Sequence, residues 1–378
     1  MPTLFANKKL QIALGAIFLY LISSGVSFMV FSQVLKGPIS IETPFGNLTD
    51  LTSGDEEGVK DRACPVNGAF YTKNREEQWK QRRPLGVMVE NHVDARPITG
   101  LSRSDVVYEA VAEGGITRFL AIFLCQDAGD IAPVRSARTY FLDWVTEYDA
   151  AYAHVGGANT PGPADALGQI RDYDIKDMDQ FGLGFPTYWR GTDKLAPHNV
   201  HSTTKKLWEA AEEKGFQAQD EDGNRWDKNF QIWKFKDEAA LESRGDQKPI
   251  VVPFWASNQA YAVTWQYDKA ANVYKRFHGQ DAQIDPLTKE QLGAKTVIVQ
   301  LQTERKANDG HQDGHLIYGT TGSGKALIFM DGKAVEGKWA KKDRTSRTKF
   351  LDSKGNEIAL NRGLIWVQTI PVGNEVEY

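Results

Sequence analysis

The chain has 378 residues and a formal net charge of -4 at neutral pH. This length is enough for two domains, and the lack of a basic excess argues against a dedicated nucleic-acid-binding protein. The overall composition is that of a soluble globular protein, with 41% hydrophobic and 25% charged residues. The start of the chain departs from that composition.

An uncharged apolar segment covers residues 10–35 and is long enough to span a bilayer, which needs about 20 apolar residues. Lys8 and Lys9 precede it, whereas the charges that follow Lys36 are acidic. The positive-inside rule therefore predicts a transmembrane signal anchor, with a cytoplasmic N-terminus at 1–9 and the remaining chain outside the cell membrane. A cleaved signal peptide stays an alternative, although its apolar core would exceed the usual length of about 7–15 residues.

Residues 36–63 are rich in Gly, Ser, Thr, Pro and acidic residues and show no helical or strand period. They are therefore predicted to form a flexible tether, and order is expected to begin near Cys64. Cys64 and Cys125 are the only cysteines of the chain. Because disulfides persist outside the cytoplasm, the two are predicted to pair and to tie the incoming chain to the strand that ends at Cys125.

Residues 64–216 alternate strand and helix signals, which predicts an α/β domain. The run "LGVMVEN" indicates a short apolar strand, and two β-rich runs around Gly114-Gly115 indicate a hairpin. Apolar residues at helical spacing in "SARTYFLDWVTEY" indicate a helix. A second helix is predicted in "STTKKLWEAAEEKGF", with a Ser or Thr cap and a glycine stop.

The second half is predicted to be a mainly antiparallel β domain at residues 249–378, reached through a polar connection at 217–248. Strand signals dominate it, from "IVVPFW" to "LIWVQTIP", and turn residues separate them. Its tryptophans either fill the β core or stack on sugars, and both interpretations stay open.

A phosphate-loop pattern, G-x-x-x-x-G-K, runs from Gly319 to Lys325. Ala326 follows where a hydroxyl is needed for Mg²⁺, and the next residues, "ALIFMDGK", predict a strand and an Asp-Gly turn instead of a helix. The segment is therefore predicted to be a glycine-rich hairpin. Neither a nucleotide nor another cofactor is expected.

The α/β half places charged and polar residues in apolar surroundings. Glu109 and Glu113 differ by four positions on one predicted strand, so both should face the same side, within reach of Arg118 on the partner strand. Arginines near a helix N-terminus would suit an anionic group such as carboxylate or phosphate. The acid–base candidates are Glu90, Glu109, Glu113 and His154, and the candidates for ligand binding are Asn91, Arg118, Arg135, Ser136, Arg138, His198 and Asn199.

These residues are predicted to form one polar cleft that binds an envelope ligand, such as a glycan or an anionic group, or a partner protein. The alternative function is a hydrolase or transferase of cell-wall polymer that uses carboxylate and histidine groups. A buried ion-pair network would account for the same charges without any ligand. No metal site is predicted, because H-E-x-x-H and paired C-x-x-C are absent and "DGHQDGH" is typical of a solvated loop.

Long blocks of this sequence resemble the YerB-like family of bacterial proteins. They include "RPLGVMVENHVDARPITGLSRSDVVYEAVAEGGITRFLAIF", "PVRSARTYFLDWVTEYDAAYAHVGGA", "GTTGSGKALIFMDGKAVEGKW" and "LNRGLIWVQTIP". The resemblance covers roughly residues 84–205 and 249–372 and implies an exported, membrane-attached protein. It implies no reaction, so the matching positions carry no roles. Members described as lipoproteins use a lipidated cysteine, where this chain has the predicted span.

Overall fold

A computed structural model describes residues 58–220, 222–312 and 314–378, together with two short strands near the start. The chain divides into two compact units, Met1–Gly54 and Asp55–Tyr378. In the first unit, Glu42–Thr43 pairs antiparallel with Gly46–Asn47. The anchor predicted at 10–35 lies outside the described residues. No helix within the described residues is long and apolar enough to cross a membrane.

The described part of the second unit contains five α-helices, which confirm both predicted ones. The predicted cap is present in the last helix, because the Thr203 side chain accepts the N–H of Lys206 at 3.0 Å. Short 3-10 turns cover Val93–Ala95, Leu101–Arg103, Thr146–Tyr148, Leu241–Ser243 and Gln259–Tyr261. The helices are α1 Lys73–Lys80, α2 Thr139–Val145, α3 Ala166–Asp172, α4 Gln180–Leu183 and α5 Thr204–Glu213.

Strands make up most of the regular structure in this unit. Those before residue 240 are β1 Arg62–Ala63, β2 Phe70–Tyr71, β3 Leu85–Glu90, β4 Val106–Glu113, β5 Ile116–Phe123, β6 Ala151–His154, β7 Asp177–Asp179, β8 Trp189–Arg190, β9 Val200–His201 and β10 Phe235–Lys236. Those after it are β11 Ile250–Val252, β12 Val263–Asp268, β13 Val273–His278, β14 Asp281–Ala282, β15 Gly293–Ala294, β16 Thr296–Gln302, β17 Glu304–Lys306, β18 Leu316–Tyr318, β19 Gly322–Met330, β20 Lys333–Lys341, β21 Lys349–Leu351, β22 Leu360–Asn361 and β23 Ile365–Pro371.

One ten-stranded sheet joins the two sequence halves, in the order β21-β20-β19-β16-β23-β4-β5-β3-β6-β7. The last strand, β23, lies between β16 and β4 and runs parallel to both. A second sheet consists of β11-β12-β13-β14, with β15 also paired to β13. The regular structure of the described residues is therefore mostly strand, with few helices. Whether 64–216 and 249–378 fold independently stays a prediction.

The glycine-rich segment at Gly319–Lys325 leads into strand β19 of a hairpin, as the sequence predicts. Strands β19 and β20 pair antiparallel up to Met330 and Lys333. The two residues between them, Asp331 and Gly332, have φ angles of 52° and 67°, the conformation of a tight hairpin turn. The Lys325 side chain points to Glu336, with 3.5 Å between its Nζ and the carboxylate. The segment thus lacks the helix that a phosphate loop requires.

The predicted disulfide is confirmed. Cys64 and Cys125 are bonded, their Cα atoms lie 6.1 Å apart, and 61 positions separate them along the chain. Both residues are buried. By the chain-entropy model, closing a loop of this length contributes about 4 kcal/mol to the free energy of unfolding. The bond ties Cys64 to the second residue after β5, since that strand ends at Phe123 and not at Cys125.

Strands β4 and β5 form the predicted hairpin around Gly114 and Gly115, but their register departs from the prediction. Glu113 pairs with Ile116, whereas Val111 pairs with Thr117, so a β-bulge lies between Val111 and Glu113. One extra residue reverses the alternation of side chains along a strand. The prediction that Glu109 and Glu113 share a face is therefore wrong, because the bulge turns them to opposite faces of the sheet.

Candidate functional site

Glu109 belongs to a buried cluster on the face of the main sheet that contacts the second sheet. Its carboxylate lies 2.6 Å from Nη2 of Arg276, and both side chains are fully buried. It also accepts hydrogen bonds from Thr117, Trp366 and Gln368, each at 3.0 Å. The prediction that Glu109 meets Arg118 is wrong. Arg118 pairs with Ala110, and the side chain of Ala110 faces the opposite side of the sheet from that of its neighbour Glu109. The contacts of Glu109 make it a structural residue.

Arg276 was not among the residues predicted from the sequence. Its guanidinium lies 4.8 Å from the Trp366 ring, and it donates to Nε2 of His278 at 3.3 Å. Burial and the adjacent charge of Arg276 lower the pKa of His278 to about 2, which keeps that imidazole neutral and able to accept the hydrogen bond. Only the alternation of strand β13 could have indicated that Arg276 shares a face with Tyr274 and His278.

Glu113 lies on the opposite face, within a second network of charges. Nη2 of Arg118 lies 3.5 Å from its carboxylate, and Arg138 donates a short hydrogen bond to it. Although burial raises the pKa of Glu113, Arg118 and Arg138 outweigh that effect and lower the pKa below its usual value. Nε2 of His315 is 3.9 Å away. The carboxylate is therefore ionised and largely enclosed by its partners.

Glu90, Arg135 and His198 meet at the carboxyl end of strand β3. Nε of Arg135 lies 3.0 Å from Oε1 of Glu90, and Nδ1 of His198 lies 3.1 Å from Oε2. These distances are those of ion pairs, but the atoms are misaligned for hydrogen bonding. The Glu90 side chain is 5% exposed, whereas Arg135 is 24% and His198 is 16% exposed. A buried carboxylate thus lies beneath two side chains that reach the solvent.

Three extended segments hold this group in place. The segment before Arg135 runs beside β3, with a bridge between Val134 and Val89, and the Arg135 N–H donates to the Met88 carbonyl at 2.9 Å. Strand β9 lies beyond it, because Val134 N–H donates to the Val200 carbonyl at 2.8 Å. His198 precedes that strand. Backbone pairing therefore fixes the Cα positions of Glu90, Arg135 and His198.

The two charged networks are adjacent and contain more guanidinium than carboxylate groups. Burial lowers the pKa of Arg135 and of Arg138, and the charge of Arg118 lowers both further by repulsion. The three arginines share the carboxylates of Glu90 and Glu113. These five side chains carry a formal net charge of about +1, and Arg135 is the most exposed of the three arginines.

The other predicted residues have structural contacts. His154 is fully buried, with Nε2 2.9 Å from Asp177 and Nδ1 2.9 Å from the Gly156 carbonyl, so both ring nitrogens are engaged. The Ser136 carbonyl accepts from Arg118 at 2.9 Å. Asn91 donates to Thr117 at 2.7 Å, and Asn199 donates to the Gly191 carbonyl at 2.9 Å. None of these contacts places the four residues in an open cleft.

Two further side chains beside Glu90 were not among the candidate site residues. His92 follows strand β3 and caps the turn Val93–Ala95, and its ring stacks on that of His198 with 4.8 Å between centroids. Asp94 is exposed, and its carboxylate lies 3.5 Å from Nδ1 of His92. The sequence offers a weak signal, since His92 and Asp94 follow Glu90 directly, but nothing in it connects them to His198.

Two surface hollows lie elsewhere, with volumes of about 530 Å³ and about 430 Å³. Neither is lined by any predicted site residue. The first is lined by Ser102, Val273, Lys275, Glu290, Gln291, Gly293 and Leu364. The second is lined by Ala63, Pro65, Glu76, Trp79, Lys80, Arg225, Trp226 and Asp227.

The group at Glu90 has two chemical capacities. A guanidinium that is 24% exposed and has an incompletely aligned partner can bind a carboxylate or phosphate oxygen. An imidazole with a buried carboxylate on one nitrogen can accept or donate a proton through the other. We define the β3-end site as Glu90, His92, Asp94, Arg135 and His198.

Comparison with known proteins agrees with this fold. Residues 71–217 match the family model described as "Protein of unknown function (DUF3048) N-terminal domain", and residues 250–367 match the corresponding C-terminal domain. The Bacillus subtilis (strain 168) protein named "Putative lipoprotein YerB" is 28% identical over 317 residues, which cover 84% of this chain and 89% of that protein. The crystal structure of YerB from Bacillus subtilis superposes with a TM-score of 0.71 at 26% identity, over 84% of this chain and 100% of that one.

Proposed function

This chain belongs to the YerB-like (DUF3048) family, and we propose that it binds an anionic ligand of the cell envelope through the β3-end site. The name of its relative denotes a lipoprotein, which supports attachment to the membrane outside the cytoplasm. The finer proposal is that residues 10–35 hold this chain as an uncleaved single span. The ligand class is an anionic envelope polymer that carries phosphate or carboxylate groups.

The observation that carries the proposal is the exposure of Arg135 above the buried Glu90. Buried ion pairs that serve stability alone are enclosed and well aligned, as Glu109 and Arg276 are. Arg135 is 24% exposed and misaligned with its partner. The positive charge of Arg118 adds to the electrostatic potential at Arg135. An anion that contacts Arg135 would gain charge-assisted hydrogen bonds while Glu90 holds the guanidinium in position.

A hydrolase or transferase of cell-wall polymer is the second candidate. The contact that favours it is the 3.1 Å distance between Nδ1 of His198 and Glu90, a pairing that orients an imidazole for proton transfer. His154, the histidine expected to act as an acid–base group, is fully buried with both nitrogens engaged. If the protein is an enzyme, His198 is therefore the better candidate for that role.

Replacing Arg135 with glutamine should weaken binding to cell-wall sacculi by about ten- to a hundredfold, the loss expected from one or two charge-assisted hydrogen bonds. The full chain in detergent would be cosedimented with purified Bacillus subtilis sacculi, before and after removal of their phosphodiester-linked polymers. Binding should fall when these polymers are removed, because they supply the anionic groups.

Arg305→Gln is the matched control, since Arg305 is exposed on another strand. It should bind sacculi like the original chain. Equal binding by the Arg135→Gln variant would refute the proposal, and loss of its cooperative unfolding would assign Arg135 to a structural network. Release of soluble wall fragments during the incubation would favour the enzymatic alternative.

A further inference from the structure

We propose that His92, Asp94 and His198 form a binding site for one divalent transition-metal ion, with Zn²⁺ as the ion suited to these ligands. Each residue offers one ligand atom, and these atoms all lie within 4.8 Å of one another. The side chains of His92 and Asp94 are 28% and 71% exposed, and that of His198 is 16% exposed. An ion can therefore reach them from solvent without opening the core.

The first support is the separation of two ligand atoms. Nδ1 of His92 lies 3.5 Å from Oδ2 of Asp94. Two ligands at about 2.0–2.1 Å from a tetrahedral zinc ion are separated by about 3.4 Å, so the two side chains are near enough to share one ion once the His92 ring has turned. Nδ1 also accepts the Asp94 N–H at 3.2 Å, which shows that this nitrogen carries a lone pair. Two acceptors held this close are stabilised by a cation between them.

The second support is independent and comes from Glu90. Its buried carboxylate lies 3.1 Å from Nδ1 of His198, which leaves Nε2 of that ring for a metal. A carboxylate on the far nitrogen of a metal-binding histidine fixes the ring and increases its basicity, and this arrangement recurs at zinc sites. Glu90 is itself held by Arg135. His198 is thus backed by the buried Glu90 and, through it, by the partly exposed Arg135.

One adjustment is required. The rings of His92 and His198 are stacked, with 4.8 Å between centroids and 16° between planes. A metal lies in the plane of each imidazole that binds it, so at least one ring must rotate. His92 is the more exposed of the two, and the contact it would give up is the 3.2 Å hydrogen bond to the Asp94 N–H. Rotation of this ring completes the site.

The ligand set determines the class of ion. Two imidazoles and one carboxylate suit zinc and neighbouring transition metals, whereas Ca²⁺ and Mg²⁺ prefer sites made of oxygen atoms. Three protein ligands leave a position for water or for another molecule, as in the open sites of zinc enzymes. Zinc binding at these three residues does not depend on whether an anionic envelope ligand binds.

The test is titration calorimetry of the full chain in detergent with ZnCl₂, after removal of metal by a chelator and of any affinity tag. We expect one equivalent of zinc to bind with a dissociation constant in the micromolar range or below. His198→Ala and His92→Ala should each weaken binding by at least about a hundredfold. Glu90→Gln should weaken it by about ten- to a hundredfold, because Glu90 only supports a ligand.

His311→Ala is the matched control, because His311 is an exposed histidine that also stacks on a second histidine. It should bind zinc unchanged. If His198→Ala fails to fold, His92→Ala and Asp94→Asn provide the test, because both side chains are more exposed than that of His198. Zinc binding that is absent at about 100 µM zinc, or that survives both of these variants, overturns the proposal.

Discussion

Replacing Arg276 with methionine is expected to lower the free energy of unfolding by about 3–5 kcal/mol. The change leaves the fully buried Glu109 carboxylate without the charge that lies 2.6 Å from it. The hydrogen bonds from Thr117, Trp366 and Gln368 remain, but they come from neutral groups and compensate only part of the desolvation. Urea unfolding followed by tryptophan fluorescence measures the loss.

A double variant, Glu109→Gln with Arg276→Met, separates charge from packing. Because it removes both buried charges, it should recover most of the stability that Arg276→Met loses. Arg305→Gln is the matched control for removal of an arginine, because Arg305 is exposed on β17, and it should cost less than about 1 kcal/mol. If Arg276→Met is as stable as the control, the Glu109 cluster is not the buried charge pair described above.

Removal of the last strand is expected to abolish folding. A chain that ends at Gly363 lacks β23, which pairs with β16 on one side and with β4 on the other. It also loses the buried Trp366, Val367 and Ile370. Loss of a central strand costs more than the roughly 5–15 kcal/mol that stabilises a whole protein. We expect no cooperative urea transition and complete digestion by a protease at low concentration.

A chain that ends at Val372 is the matched control, because it keeps all of β23 and removes only the residues after it. That deletion loses the bridge between Val251 and Glu377 and the ring contact between Phe329 and Tyr378. It should unfold cooperatively with a modest loss of stability. If the shorter chain also unfolds cooperatively, β23 is not required for folding, although it lies between β16 and β4 in the sheet.

Local features of this fold could be predicted from the sequence because they depend on neighbouring residues. The hairpin at Gly114-Gly115 and the turn at Asp331-Gly332 need residues that tolerate positive φ, and both pairs supply them. The helix after Thr203 has the expected cap. The disulfide could be predicted because the chain is expected outside the cytoplasm and has only two cysteines.

Long-range partners could not be predicted in the same way. The alternation of β13 indicates that Tyr274, Arg276 and His278 share a face, but not that this face is buried against Glu109. The parallel insertion of β23 between β16 and β4 depends on connections that no local pattern encodes. The bulge at Val111–Glu113 adds one residue to β4, and that residue reverses the predicted face of Glu113.

The candidate site was predicted in part. Glu90, Arg135 and His198 were each predicted and do meet, because backbone pairing places the end of β3 beside the segments that carry Arg135 and His198. Glu109 and His154 were grouped with them from their polarity alone, and burial assigns both to other contacts. His92 and Asp94 could not be connected to His198, since about a hundred positions separate them and their spacing matches no metal motif.

The central claim is that ligands reach this protein at the β3-end site, and histidine-selective NMR tests it most directly. The chain has seven histidines, so each labelled ring gives a signal that can be assigned by substitution. On addition of soluble polyglycerol phosphate with a chelator present, the signals of His92 and His198 should shift, and those of His154 and His201 should not. Arg135→Gln should remove the shifts. Shifts confined to other histidines, or unchanged in that variant, would contradict the account.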